Sequence, residues 1–354
     1  MFGFMVAQPE YTSSRGDRQR ASLPLARTDE PMYTAQVAGE GTGKMNARSH
    51  ILVIGAAGLD TKGYYSGPVQ AGSSNPGTIR VSNGGCARNV AENLARLGET
   101  AILLSAVGKG RSGRRVYDQT AEAGVDMSHV IESAEHHTAA YMAIYDQDGR
   151  LMLSVDDMAI MELITPAVIY ANRRLIRHAA HIVVDANLSP ASLKTLLREA
   201  AKHGVPVSAD PTSVPLASRL KPHLTELTMI TPDIPEAEVL CGRPLRNTRS
   251  QGIAAAKQLV AMGIQIAIVT LAEQGVCYAT PEVSGHVPAV KTQLVNRTGA
   301  GDALTAGVVF GLNNGFPIDE AVRLGAAAAA LTLQQNDSVC QTLSLDCLYD
   351  ALSM

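Results

Sequence analysis

The chain predicts an α/β fold, an open and mostly parallel sheet covered by helices on both faces. Three observations lead there. Short Val/Ile-rich runs recur from residue 50 onward, helical stretches closed by glycine separate them, and 354 residues that are 46% hydrophobic suffice for a two-sided core.

Residues 1–48 lack helical or strand periodicity and mix Pro, Gly, Ser and both charge signs, so they read as a disordered N-terminal extension or a cloning leader. Glu10, Asp17, Asp29 and Glu30 argue against an acid-poor transit peptide, and the segment lacks the apolar stretch of a secretory signal. The folded domain is expected over 49–354. It opens with "HILVIGAAG", a buried strand ending in glycine, followed later by the helix "ARNVAENLARLG" and the strand "TAILLSAVG". The strand "HIVVDAN", the helix "SLKTLLREAAKHG", the strands "VPVSADP" and "LTMITPD", the helix "IAAAKQLVAMG" and the strand "IAIVTLAEQG" continue the alternation. Each helix closes on a glycine suited to its C-cap. "GHVPAVKTQLVN" is strand-like and leads to "DALTAGVVFGLNNG", which has helical apolar spacing. Two segments interrupt the pattern, "DTKGYYSGPVQAGSSNPGTIRVSNGG" and "HHTAAYMAIYDQDGRLMLSVDDM". Their alternating apolar residues and the hairpin signal "DQDG" predict a small β-lid over about 60–82 and 136–158. Such lids exclude water from a reacting centre; a plain antiparallel edge extension is the alternative.

Composition narrows the function. A net charge of -3, no Trp and four Phe leave no basic, aromatic surface for a nucleic-acid partner. No apolar run approaches the length of a membrane span, and "AVRLGAAAAALTLQ" is short and carries Arg323. Five cysteines without a C-x-x-C pair fit reduced thiols and a cytoplasmic location.

The chemistry gathers in two stretches. In "NRTGAGDALTAGV", Gly299, Ala300 and Gly301 enter a helix whose free N–H groups form an anion cradle. Asp302, on the first turn, is placed to accept a proton from a substrate hydroxyl; an acid that merely complements the helix dipole fits the bare motif equally well. In "SNGGCARNVAENLARLG", Gly84 and Gly85 let the backbone approach a ligand and Asn89 can pair with sugar hydroxyls. Asp60, just past the first strand, suits a vicinal diol or a turn. Asn187, after "VVDAN", touches a ligand or caps the next helix. "GEGTGKM" lacks the Ser/Thr and strand context of a Walker loop, and "GAAGLD" is not G-x-G-x-x-G. His136-His137 has no partner spacing for a metal and reads as a solvated loop.

"GGCARNVAENLARLG" and "NRTGAGDALTAGV" resemble, in order and spacing, the two signatures of the ribokinase-like PfkB carbohydrate kinases, over residue 50 to the C-terminus. The resemblance implies a ribokinase-like three-layer α/β/α fold with a small β-lid. It implies that Asp302 is the catalytic base, that Gly299, Ala300 and Gly301 supply the anion hole, and that Asp60 and Asn89 beside Gly84 and Gly85 bind substrate hydroxyls. "TPDIPEAE" matches the N-x-x-E motif as Asp233 and Glu236, the latter organising Mg²⁺ indirectly, and "TLAEQG" matches the ATP loop as Thr270, Leu271, Ala272 and Gly275. Within the family the likeness is greatest to pseudouridine kinases, including "SSNPGTIRVSNGG", "VDDM" and "NRTGAGDA"; Thr138 aligns with a substrate-side Thr of that subgroup. Asn296 replaces an Asp that ligates a monovalent cation in ribokinase-type members, which weighs against K⁺ activation. Asp233, Ala272, Gly58 and Gly110 replace a family Asn, Gly, Asn and Asp. The expected activity is ATP- and Mg²⁺-dependent phosphorylation of the 5'-hydroxyl of a nucleoside, pseudouridine foremost, by a homodimer joined through the lid. Ribose, fructose or adenosine is the alternative substrate, and a non-catalytic nucleoside sensor is the alternative outside enzymes.

Overall fold

The computed structural model describes residues 49–353; the expectation for residues 1–48 falls outside them. In chain order the strands are β1 (His50–Ile54), β2 (Gly58–Tyr65), β3 (Gly77–Gly84), β4 (Ala101–Leu104), β5 (Ala106–Gly108), β6 (Ile131–Ser133), β7 (Ala139–Tyr145), β8 (Leu151–Asp157), β9 (Ala179–Asp185), β10 (Val207–Asp210), β11 (Met229–Ile230), β12 (Ile266–Thr270), β13 (Val276–Ala279) and β14 (Ser284–Val287). The helices are α1 (Cys86–Arg96), α2 (Arg111–Glu122), α3 (Pro166–Ala171), α4 (Arg173–His178), α5 (Pro190–Lys202), α6 (Val214–Ala217), α7 (Ile234–Cys241), α8 (Arg249–Ala261), α9 (Ala300–Asn313), α10 (Ile318–Leu333) and α11 (Leu345–Ser353).

Eight strands form the main sheet in the order β14-β13-β12-β11-β10-β9-β1-β4, parallel from β4 through β12 and antiparallel at β13 and β14. β1 shows why helices cover both faces. Its residues alternate between two cores: Leu52 and Ile54 pack with residues of α5, α7 and α8, while Ile51 and Val53 pack with residues of α1, α9 and α10. A strand buried on both sides must be apolar throughout, which is the pattern "HILVI" carries.

α9 is buried nearly all round and lies tight against α10. A Cβ on Gly307 would come within 2.7 Å of the Gly325 Cα, and one on Gly311 within 2.8 Å of the Ala321 Cα. Small residues in both helices thus permit the close approach that fixes where the first turn of α9 sits.

One local expectation is corrected. "GHVPAVKTQLVN" forms a strand only through Val287. Pro288 has no N–H for a ladder, and β14 is already the sheet edge. The Val295 and Asn296 N–H groups instead bond the Leu333 carbonyl at the end of α10, at 2.8 and 3.2 Å. The chain therefore enters α9 from an irregular loop.

A separate four-stranded sheet runs β3-β2-β7-β8. Its two faces differ. Asp60, Tyr141, Tyr145, Ser154 and Asp156 look into the large cavity described below. The opposite face, in register rows Val81-Thr61-Met142-Val155 and Ile79-Gly63-Ile144-Leu153, exposes Ile79, Val81, Met142, Leu153 and Val155 to solvent.

Candidate active site

The order of the main sheet reverses at β1, which pairs with β4 on one side and with β9 on the other. Open α/β sheets bind ligands outside the carboxyl ends of strands at such a point. Here a cavity of about 1110 Å³ opens over those ends and beneath the smaller sheet. Asp60, Asn89, Asn187, Asp233, Glu236, Thr270, Gly299, Gly301 and Asp302, expected from the sequence, all line it.

Gly299 caps α9 with φ 85°, a left-handed conformation that glycine adopts freely. A side chain there would overlap the Ser338 carbonyl, whereas a Cβ on Gly301 would meet no heavy atom within 4 Å. The first N–H groups of α9 have no intrahelical acceptor, and Gly299 and Gly301 at this end of the helix line the cavity. Asp302 is only 7% exposed. Burial pushes its carboxyl up to about 6, against the opposing pull of a 2.6 Å hydrogen bond donated by Asn89 Nδ2 and of the Arg88 charge.

Asn89 is engaged at both ends, because its Oδ1 accepts from the Arg88 guanidinium. Arg88 is itself buried, bonds the Gly84 carbonyl through Nε at 3.0 Å and pairs with Glu92. The loop Gly84-Gly85, the orientation of Asn89 and the carboxylate of Asp302 are thus one connected unit, and Arg88 was not singled out from the sequence. Gly84 lies beside Asp60, whose carboxylate occupies the space a Cβ would need, and Gly85 has φ 91° against the Ala56 carbonyl. Asp60 is 6% exposed and burial raises its pKa, opposed by Lys62 and Arg88. Gly58, where the family carries Asn, could hold no side chain without overlapping the Ala139 carbonyl.

Thr138 is not brought to the cavity. Its hydroxyl accepts the Gly108 N–H at 3.0 Å and it packs against Gly113, so its role here is to join β5 to the segment before β7. Asn187 does reach the cavity, with its N–H bound to Asp185 Oδ1 at 3.0 Å.

On the other flank, Thr270 ends β12 and the turn 271–275 closes through a Leu271 N–H to Gly275 carbonyl bond of 2.8 Å. Ala272 adopts φ 51°, where a side chain costs about 1 kcal/mol and glycine costs nothing. Gly275, at φ 93°, lies against the Val287 carbonyl. Ala272, Gly275, Gly84 and Ala300 shape the backbone without lining the cavity. Asp233 and Glu236 form a reciprocal capping box at the start of α7, with bonds of 2.8 and 2.9 Å. Burial, then the Asp233 and Asp302 charges, raise Glu236 to about 7.

Two acids escaped sequence reasoning. Asp185 ends β9 and accepts the N–H groups of Ala56, at 2.7 Å, and Ala87, fastening the floor of the site to α1. Asp210 ends β10 in the cavity, held well above the carboxylate range by burial and by the charges of Asp302 and Glu236. An acid closing an apolar strand, in "VVDAN" and "VSADP", was the available signal. Arg297, just before the cradle, lines the same cavity.

The pfkB family carbohydrate kinase model matches residues 48–341. The chain belongs to the pfkB family. Within this pfkB group, it is 32% identical over 290 residues to a pseudouridine kinase of Escherichia coli (strain K12), covering 82% of this chain and 92% of that protein. It is 29% identical over 300 residues to a guanosine-inosine kinase of Exiguobacterium acetylicum, covering 84% and 99% of the two chains. The structure of Arabidopsis thaliana ribokinase complexed with ribose and ATP matches with a TM-score of 0.77 at 20% identity, over 86% of this chain and 99% of that one. The pfkB chain thus has the ribokinase-like fold and is a phosphotransferase of the sugar and nucleoside kinase group.

Proposed function

We propose that this chain transfers the γ-phosphoryl group of ATP to the ribose 5'-hydroxyl of a nucleoside, with pseudouridine as the substrate. The observation that carries the reading is Asp302, a buried carboxylate on the first turn of α9, oriented by Asn89 and adjoining free backbone N–H groups. With its pKa near 6, Asp302 is ionised at neutral pH yet basic enough to take the hydroxyl proton as the bond to phosphorus forms. Asp60, across the cavity on β2, suits the remaining sugar hydroxyls. The α9 amides offset charge on the transferring group, and the lid face above excludes water.

The residues present fit Mg²⁺ arriving with nucleotide. Asp210, Glu236 and Asp233 are all held above their ordinary pKa, by burial first and, at Asp210 and Glu236, by neighbouring carboxylates as well, so a cation beside them would be favoured. Among the described residues no three ligating side chains converge on a resident metal site. That suits an ion held by one or two carboxylates together with phosphate oxygens, with Glu236 and Asp233 as the protein's share. Bound there, Mg²⁺ would offset the charge of the phosphates. Thr270 and the turn 271–275 would border the nucleotide, and Arg297 would face its phosphates.

The choice of pseudouridine is supported by the 32% identity to the Escherichia coli pseudouridine kinase. The comparable match to a guanosine-inosine kinase favours another nucleoside as the rival. ADP release with Mg²⁺-ATP against pseudouridine, uridine, adenosine, guanosine, ribose and fructose decides between them. Asp302→Asn, run alongside, should keep substrate binding and lower turnover roughly 100-fold or more. Turnover of another compound replaces the substrate and keeps the mechanism. Binding of pseudouridine with no ADP release from the wild type would mean a sensor.

A further inference from the structure

Lys62 lies on β2 two residues beyond Asp60, on the same face of the strand, and is only 3% exposed. A buried ammonium needs a reason. Its Nζ donates to Asn296 Oδ1 at 3.1 Å, and that same oxygen accepts the Thr298 N–H at 3.1 Å. Asn296 Nδ2 in turn donates to the Asn336 carbonyl at 3.1 Å, and Asn336 Oδ1 accepts from Arg80 at 2.6 Å. Arg80 is the direct cross-strand neighbour of Lys62, so two cations stand side by side at the lid edge. Like charges opposite one another repel, and the arrangement holds because Asp60, Asp337 and the two asparagine oxygens face them. Thr298 is followed directly by Gly299, the cap of α9, whose α-carbon leaves no room for a side chain against the Ser338 carbonyl. The Ser338 hydroxyl bonds Asp60 Oδ2 at 3.3 Å. Lys62 therefore sits in a closed set of contacts linking the lid strand, the loop into the phosphate cradle and the 336–338 segment behind it.

We propose that the Lys62 ammonium is a built-in cation that positions the 296–299 loop, and with it the amide cradle and Asp302, so that turnover needs no added monovalent cation. It is a positioning residue, since it acts on the cradle through Asn296. The position it grips is the one where a resembling kinase would carry a cation-ligating Asp. Here a neutral Asn faces a tethered positive charge, and the charge balance of the loop is met from within the chain. The inference rests on the phosphotransferase reading of the site.

The test compares the full chain with Lys62→Met and with the double variant Lys62→Met/Asn296→Asp, in K⁺, Na⁺ and tetramethylammonium chloride at equal ionic strength. Initial rates with Mg²⁺-ATP and thermal unfolding without substrate are both followed. The wild type should turn over equally in all three salts. Lys62→Met should lose about tenfold or more in kcat, with a smaller change in nucleoside KM, because displacing the cradle harms the reacting geometry more than binding. K⁺ should restore part of that loss and raise the melting temperature of the double variant above its value in tetramethylammonium. A wild type activated several-fold by K⁺, or a Lys62→Met variant at wild-type rate, overturns the proposal. A loss that no monovalent cation relieves in either variant also overturns it. If the wild type consumes no ATP with any compound, the phosphotransfer reading fails separately, and the unfolding data alone decide: K⁺ stabilising the double variant but not the wild type supports the built-in cation, and identical responses refute it.

Discussion

A carboxylate at the start of a buried helix is useful only if its protonation matches its task. Asp302 meets that condition through opposed influences. Burial raises its pKa, while Asn89 and the Arg88 charge hold the rise to about 6. The consequence for rate has a definite sign. Below pH 6 the carboxyl is protonated and cannot accept the substrate proton, so kcat/KM should fall about tenfold per pH unit on the acid side and level off above pH 7. A pH-rate profile of the free enzyme checks this. An acid limb near pH 4, where an exposed Asp titrates, would show that Asp302 is not the base. Asn89 spends its amide on Asp302 and Arg88, and the hydrogen bond it donates holds the Asp302 carboxyl down, so its removal should move that limb to higher pH.

At the scale of the element, α9 does two jobs that place different demands on its glycines. Gly307 and Gly311 serve packing against α10, and Gly299 serves the cap, since each would bring a side chain into backbone or a neighbouring Cα. Gly301 has open space where its Cβ would go. Gly301→Ala should therefore keep or slightly raise the melting temperature, because alanine favours helix by about 1 kcal/mol over glycine. The same methyl would stand in the cradle, and turnover should drop at least tenfold through loss of charge stabilisation by the amides. Equal activity would mean that the phosphoryl group does not approach Gly301. The helix and its acid were legible in "GAGDALTAGVVFGL", because apolar periodicity and small-residue spacing are local. The loop that delivers it was not, since the register of Val295 and Asn296 is set by the Leu333 carbonyl, far along the chain.

For the whole molecule, the four-stranded sheet sets one polar face on the cavity and leaves the other apolar and exposed. A contiguous row of Ile, Val, Met and Leu in water favours a partner surface. A second copy of the chain, joined lid to lid, is the occupant we propose. Leu153→Asp or Val155→Asp should convert a dimer to monomers in sedimentation at micromolar concentration, with the main fold intact by circular dichroism. A wild type that sediments as a monomer would remove the dimer. No helix among the described residues is long and apolar enough to cross a membrane.

By itself, the sequence determined the α/β class, the order of its main elements and the glycine-capped start of α9 with its acid. These follow from periodicity and from glycine spacing, which act over a few residues. Tertiary structure decided which side chains meet. Asn89 and Asp302 are 213 residues apart, and Lys62 and Asn296 are 234 apart. It also moved Thr138 out of the site, because its hydroxyl answers a backbone N–H on β5, and brought in Asp185, Asp210 and Arg88. Burial supplies the physical reason: a polar group taken out of water must find its partner wherever the fold places one, and no local pattern encodes that distance.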